Sequence, residues 1–113
     1  MIIVFTNEAF IKPNNNFNKS ESLIVLEGKI DLYLLDENGK VYEKILMSEY
    51  NSSNIFSYRL KKSCWHTMES LTPYSVVHEF IEGPFDNTFI DEPTWMPKNK
   101  TDMKTLLVNY NKE

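Results

Sequence analysis

The chain has 113 residues, 42% hydrophobic and 13% aromatic, with a formal net charge of -4. That is the size of one domain around one core, with too much apolar character for a disordered chain and too little basic surface for nucleic acid to be the main partner. The single cysteine, Cys64, excludes an intrachain disulfide and a cysteine-rich zinc site. The N-terminus lacks the basic start of a signal peptide, and no apolar run approaches the roughly 20 residues that span a bilayer. The sequence therefore reads as a cytoplasmic protein without a membrane span.

No internal repeat or linker breaks the chain, so residues 1–113 read as a single domain. Turn signals recur between short β-like segments. Residues 1–5 (MIIVF) predict a first or edge strand, whose exposed apolar edge invites pairing with a second copy in a homodimer. Residues 9–12 (AFIK) predict a short strand ended by Pro13. Asparagine-rich 13–21 (PNNNFNKSE) reads as loop, since Asn favours turns. Residues 22–26 (SLIVL) are continuously apolar, as in a strand buried on both faces, and Glu27-Gly28 reads as a tight turn. Residues 29–35 (KIDLYLL) alternate, placing Ile30, Leu32 and Leu34 on one face and Asp31 and Tyr33 on the other.

Asn38-Gly39 is a strong hairpin signal, so residues 41–46 pair back onto that strand. A further strand is expected over 55–60, and two more, 65–70 and 75–81, flank a turn at 71–74. The proline-rich stretch 86–100 reads as irregular, packed down by Phe89, Trp95 and Met96, with Trp95 sealing one end of a barrel. A helix over about 101–110 is capped by Thr101, with Met103, Leu106, Leu107 and Tyr110 on one face. Strands at this frequency imply an all-β antiparallel barrel or sandwich over about residues 1–97, followed by the short helix.

Both histidines fall in CWHTMESLTPYSVVHEF. A hairpin centred near residue 72 places position 66 opposite 78 or 79, so His66 stands beside either His78 or Glu79. A carboxylate neighbour orients an imidazole for acid–base work. A histidine neighbour makes half of a metal site. The structural alternative is a histidine hydrogen-bonded within the wall.

The interval from Asn14 to Gly28 reads N-x-N-x4-E-x6-G. It resembles the first cupin motif, H-x-H-x3–4-E-x6-G, with both histidines replaced by asparagine. His66 keeps the histidine of the second motif, P-x-G-x2-H, without its proline or glycine. Within cupins the chain is similar to the WbuC-like cupin fold proteins along LEGKIDLYLLDENG, CWHT, EFIEGPFDN and FIDEPTWMP. That family usually carries additional N-terminal sequence. The resemblance implies a small RmlC-like jelly roll and a link to bacterial surface-polysaccharide (O-antigen) biosynthesis, hence a small polar ligand such as a sugar or nucleotide sugar.

By position, the resemblance carries the cupin metal ligands onto Asn14, Asn16, Glu21 and His66. Only Glu21 and His66 are good ligands, and neutral Asn14 and Asn16 disfavour a divalent metal, so no cofactor is expected. Asn14, Asn16, Glu21, His66, His78 and Glu79 are the candidate ligand-binding residues. In a metal-independent isomerase or epimerase His66 is the expected base, with Glu21 or Glu79 as its partner or acid. A non-catalytic assembly or regulatory module is the third reading.

Overall fold

The computed structural model describes residues 1–61, 63–83 and 92–108. Strands β1 (Ile2–Thr6), β2 (Asn14–Asn15), β3 (Glu21–Glu27), β4 (Lys29–Leu35), β5 (Val41–Ser48), β6 (Ser57–Leu60), β7 (Trp65–Ser70) and β8 (Tyr74–Ile81) precede helix α1 (Lys100–Val108). The described strands form two antiparallel sheets of four, β1-β8-β3-β6 (sheet I) and β2-β7-β4-β5 (sheet II). The fold is all-β with one short C-terminal helix, and the two sheets do not merge into a closed barrel. Tyr110 and Phe89 lie outside the described residues, as do parts of the EFIEGPFDN and FIDEPTWMP segments.

The strand signals hold in most places, and the pairing differs in one instructive way. Residues 65–70 and 74–81 are not a hairpin. β7 lies in sheet II between β2 and β4, and β8 lies in sheet I between β1 and β3. The turn between them crosses from one sheet to the other. The Glu27-Gly28 turn does the same at the same end of the sandwich. Gly28 has φ of +92°, and a Cβ there would sit 2.6 Å from Ser75 Oγ and 2.9 Å from the Tyr74 carbonyl. Glycine therefore lets the two crossings lie against each other. The Ser70 and Ser75 hydroxyls, 2.6 Å apart, tie them together.

The expected hairpin at 36–40 does form, joining β4 to β5. Gly39 has φ of +81°, and a Cβ there would meet the Trp95 ring at 2.5 Å. Gly39→Ala is expected to cost about 1–3 kcal/mol, from left-handed strain plus a displaced ring. Urea denaturation followed by tryptophan emission measures it, and a loss below about 0.5 kcal/mol would mean that the ring moves aside freely.

Between the sheets lies the main core, with Leu23, Ile30, Leu32, Met47 and Val77 fully buried. A second cluster covers the outer face of sheet II, where Tyr33, Leu35, Val41 and Trp65 pack against Met96, Met103 and Leu107. This layer reverses two expectations. β4 is buried on both faces instead of one, because α1 and its approach cover Tyr33 and Leu35. β3, read as buried on both faces, alternates, with only Glu21, Leu23 and Val25 fully inside.

Other local corrections have similar causes. Residues 9–12 form no strand, and the pairing falls instead to Asn14 and Asn15. The helix cap is Asn99, whose Oδ1 accepts from the Asp102 N–H at 2.9 Å, rather than Thr101, which lies inside the helix. Trp95 covers the outside of sheet II rather than an end of the sandwich. It packs edge-on against Trp65 at 5.2 Å and donates from Nε1 to the Glu37 carbonyl at 2.7 Å.

Candidate functional site

At the end of the sandwich away from the crossing turns, polar groups converge between the sheets. Glu21 opens β3 and Glu79 lies near the end of β8, both pointing inward from sheet I. His66, near the start of β7, points inward from sheet II. Strand alternation alone sends these side chains inside. His66 Nε2 lies 2.7 Å from Glu21 Oε2, and Asn16 Nδ2 donates to Glu21 Oε1 at 2.8 Å. Glu21 is 2% exposed, His66 4% and Glu79 7%. His66 and Glu79 thus meet as expected, though across facing sheets and not along a ladder.

The electrostatics follow from burial opposed by pairing. Burial acts to raise Glu21, but the His66 imidazolium, helped by Asn16, overrides it and holds Glu21 below the usual carboxylate range. Burial acts to lower His66, but Glu21 overrides it, so His66 is held above its usual value. The backbone carbonyl of Cys64, 3.1 Å from His66 Nδ1, also favours the doubly protonated ring. Glu79 is pushed up to about 7 by burial and by the negative charge of Glu21. At neutral pH the cluster therefore holds an imidazolium, a carboxylate and a second carboxyl poised to gain or lose a proton.

Glu21 Oε2 accepts no well-aligned hydrogen bond among the described groups, although the His66 ring is close. His66 by its charge and its ring N–H, and Glu79 when protonated, are the groups that bear on this carboxylate.

The remaining candidates fall elsewhere. Asn14 stands opposite His66 in register, but it is exposed and its Oδ1 accepts the Asn15 N–H at 2.9 Å. His78 is on the outer face of β8, its ring 4.0 Å from that of Phe80, and does not reach the cluster. Trp65, next to His66 in β7, faces the helix layer. Tyr58 packs at the margin of the main core. At the β6 edge of sheet I an open cavity of about 660 Å³ is lined by Ser20, Arg59, Leu60, Lys61 and Glu82, and by no member of the cluster. Sequence reasoning passed over Arg59 and Ser20, where Arg59 Nη2 donates to Ser20 Oγ at 2.9 Å. Neither has a local signal, because only the β3–β6 pairing brings them together.

No protein-family profile matches the chain, and no curated protein matches it. Among solved structures it is similar to TehB from Haemophilus influenzae, at 24% identity and a TM-score of 0.53 over 71% of this chain and 30% of TehB. The chain thus spans under a third of that protein, and a likeness at this identity concerns the fold alone.

The donor atoms of Glu21, His66 and Glu79 lie within 4.8 Å of one another. One imidazole and two carboxylates fit an oxygen-preferring divalent ion better than they fit zinc or copper. Such an ion would supply Lewis-acid polarisation of a bound oxygen. The proton held on His66 competes with it, so affinity would rise with pH. Asn16 turns its amide nitrogen toward Glu21, which makes it an orienting donor to that carboxylate.

Proposed function

We propose that this is a cupin-like jelly-roll domain that binds a small polar molecule, of the sugar or nucleotide-sugar class, at the Asn16–Glu21–His66–Glu79 cluster. One observation carries the reading. Three ionisable groups converge in an otherwise apolar interior, and one of them, Glu79, sits near neutrality at about 7. Structure alone is better served by apolar side chains at such positions, and displaced proton affinities gather where ligands are handled. The sugar class and the link to surface-polysaccharide biosynthesis rest on the motif resemblance.

Thermal shift against a panel of sugars and nucleotide sugars tests the reading, after metal content is measured on untagged protein. A ligand that stabilises the protein, and fails to stabilise Glu79→Gln, is the expected result. If no ligand in the panel moves the transition, the sugar reading is lost. Stoichiometric metal that Glu79→Gln removes would assign the cluster to an ion instead.

A second reading, a metal-independent isomerase or epimerase, is favoured by two neighbouring groups whose proton affinities are both raised, His66 by Glu21 and Glu79 by burial beside it. The base in that reading is Glu79 and the acid is His66, because Glu21 holds His66 protonated. Proton abstraction next to a sugar carbonyl exchanges carbon-bound hydrogen with solvent. Proton NMR of a bound sugar in heavy water reads this, and absence of exchange leaves a binding protein.

A further inference from the structure

We infer that the cleft between α1 and the outer face of sheet II binds a small zwitterion with an apolar body, of the α-amino-acid class. The cavity there holds about 360 Å³, at the small end of ligand sites, and is lined by Tyr33, Lys44, Glu69, Lys104, Leu107 and Val108. Glu69 and His66 stand at positions of opposite parity on β7, so the cleft and the polar cluster occupy opposite faces of sheet II. A ligand in the cleft is therefore independent of one at the cluster. The outer face is apolar where Met103 and Leu107 of α1 cover Leu35, Val41 and Trp65. Further along the same strands it becomes charged, and Asp31 stands directly opposite Glu69. Opposed like charges destabilise a sheet. Asp31 is also buried, which raises its proton affinity. Such a pair does nothing for the stability of the wall that carries the helix.

The lining groups divide to suit the two ends of one molecule. Lys44 comes from β5, and Lys104 from α1 across the cleft. The Lys44 ammonium lies over the Tyr33 ring, 5.8 Å from its centre, and pairs with Asp31 at 3.6 Å. An ammonium carries three N–H donors, so Lys44 keeps donors for a ligand carboxylate. Lys104 is exposed and has no ion-pair partner among the described residues. On the other side, Glu69 Oε1 accepts from the Tyr33 hydroxyl at 2.8 Å. Burial and the Glu69 charge push the Tyr33 phenol up, so it keeps its proton and holds the carboxylate in place. Glu69 Oε2 accepts from no described group and is the acceptor for a ligand ammonium. Leu107 and Val108 form the apolar wall, and a side chain laid on Val108 removes both from water. A simple anion or a simple amine uses only half of this set.

Isothermal titration calorimetry of the full chain with L-leucine, L-phenylalanine and 4-methylpentanoate tests the inference. At least one of the amino acids is expected to bind with a Kd of about 1 mM or below. The third probe, leucine without its ammonium, should bind at least about tenfold more weakly than leucine. Lys104→Glu, at an exposed helix position, should weaken amino-acid binding by at least about tenfold with native circular dichroism retained. Lys98→Glu, the same change of charge at an exposed position outside the cleft, should leave it unchanged. Glu69→Gln should abolish the difference between leucine and 4-methylpentanoate, a result that misfolding does not imitate. Glu79→Gln should leave binding intact, and a loss there assigns the amino acid to the interior cluster and overturns the inference. No binding of either amino acid, equal affinity for 4-methylpentanoate, or wild-type affinity in Lys104→Glu also overturns it.

Discussion

Replacing His66 by alanine is expected to remove about 3–5 kcal/mol of folding stability at neutral pH. The substitution leaves the Glu21 carboxylate, 2% exposed, without the cation that lies 2.7 Å from it. Asn16 still donates one hydrogen bond, but a neutral amide cannot offset a buried charge. A domain of this size has about 5–15 kcal/mol in total, so the variant loses a large share. Urea denaturation followed by tryptophan emission measures the loss. The deficit has a definite pH dependence. Without His66, burial raises the folded-state affinity of Glu21 for a proton above the unfolded value, so the variant does best where Glu21 is neutral. Its deficit should shrink as pH falls toward the ordinary carboxylate value of 4.5. Adding Glu21→Gln should restore part of the loss at pH 7, with a coupling of about 1–3 kcal/mol between the two positions. A His66→Ala loss below about 1 kcal/mol would mean that water reaches Glu21.

The cluster was legible in part because strand alternation is a local property. His66 and Glu79 lie at inward positions of segments whose strand character the sequence announces, whereas Glu21, which reads as the end of the Asn-rich loop, opens β3. The Asn-Gly hairpin and the β4–β5 pairing were legible for the same reason. What could not be read was which sheet each strand joins. The stretch around Leu71–Tyr74 has the composition of a hairpin turn, yet it serves as a crossing between sheets. Nothing local distinguishes the two, because the difference lies in the packing of Gly28 against Ser75. That one ambiguity made His78 and Glu79 look like alternatives. Their strand places them on opposite faces, and only Glu79 enters the interior. The second burial layer was hidden too. Asp31 and Tyr33 resemble a solvent face until α1, distant in sequence, packs beside them.

Glu79→Gln should flatten the pH dependence of stability between about 4.5 and 7. The folded-state value of Glu79 is raised from 4.5 to about 7, so over that interval the folded protein holds more protons than the unfolded chain. Wild-type stability must then fall as pH rises from the ordinary carboxylate value to about 7. His66 acts in the same direction at higher pH. Its contribution is fully present below 6.5 and fades as pH rises through its raised folded-state value. Glu21 acts oppositely. Its lowered value contributes stability above 4.5 that is lost as pH falls through the folded-state value. Wild type should therefore be most stable near pH 5, and less so at 8. Removing the titration of Glu79 leaves only the later decline due to His66. At pH 8 the variant should exceed wild type by about 1–3 kcal/mol, because the like charge beside Glu21 is gone and the imidazolium keeps one carboxylate partner. Urea midpoints at half-unit intervals from pH 4.5 to 9 resolve this. Wild-type stability that rises steadily through pH 7 would show that Glu79 ionises as an ordinary surface carboxylate. The poised acid of the proposed site would then be absent, whatever its ligand.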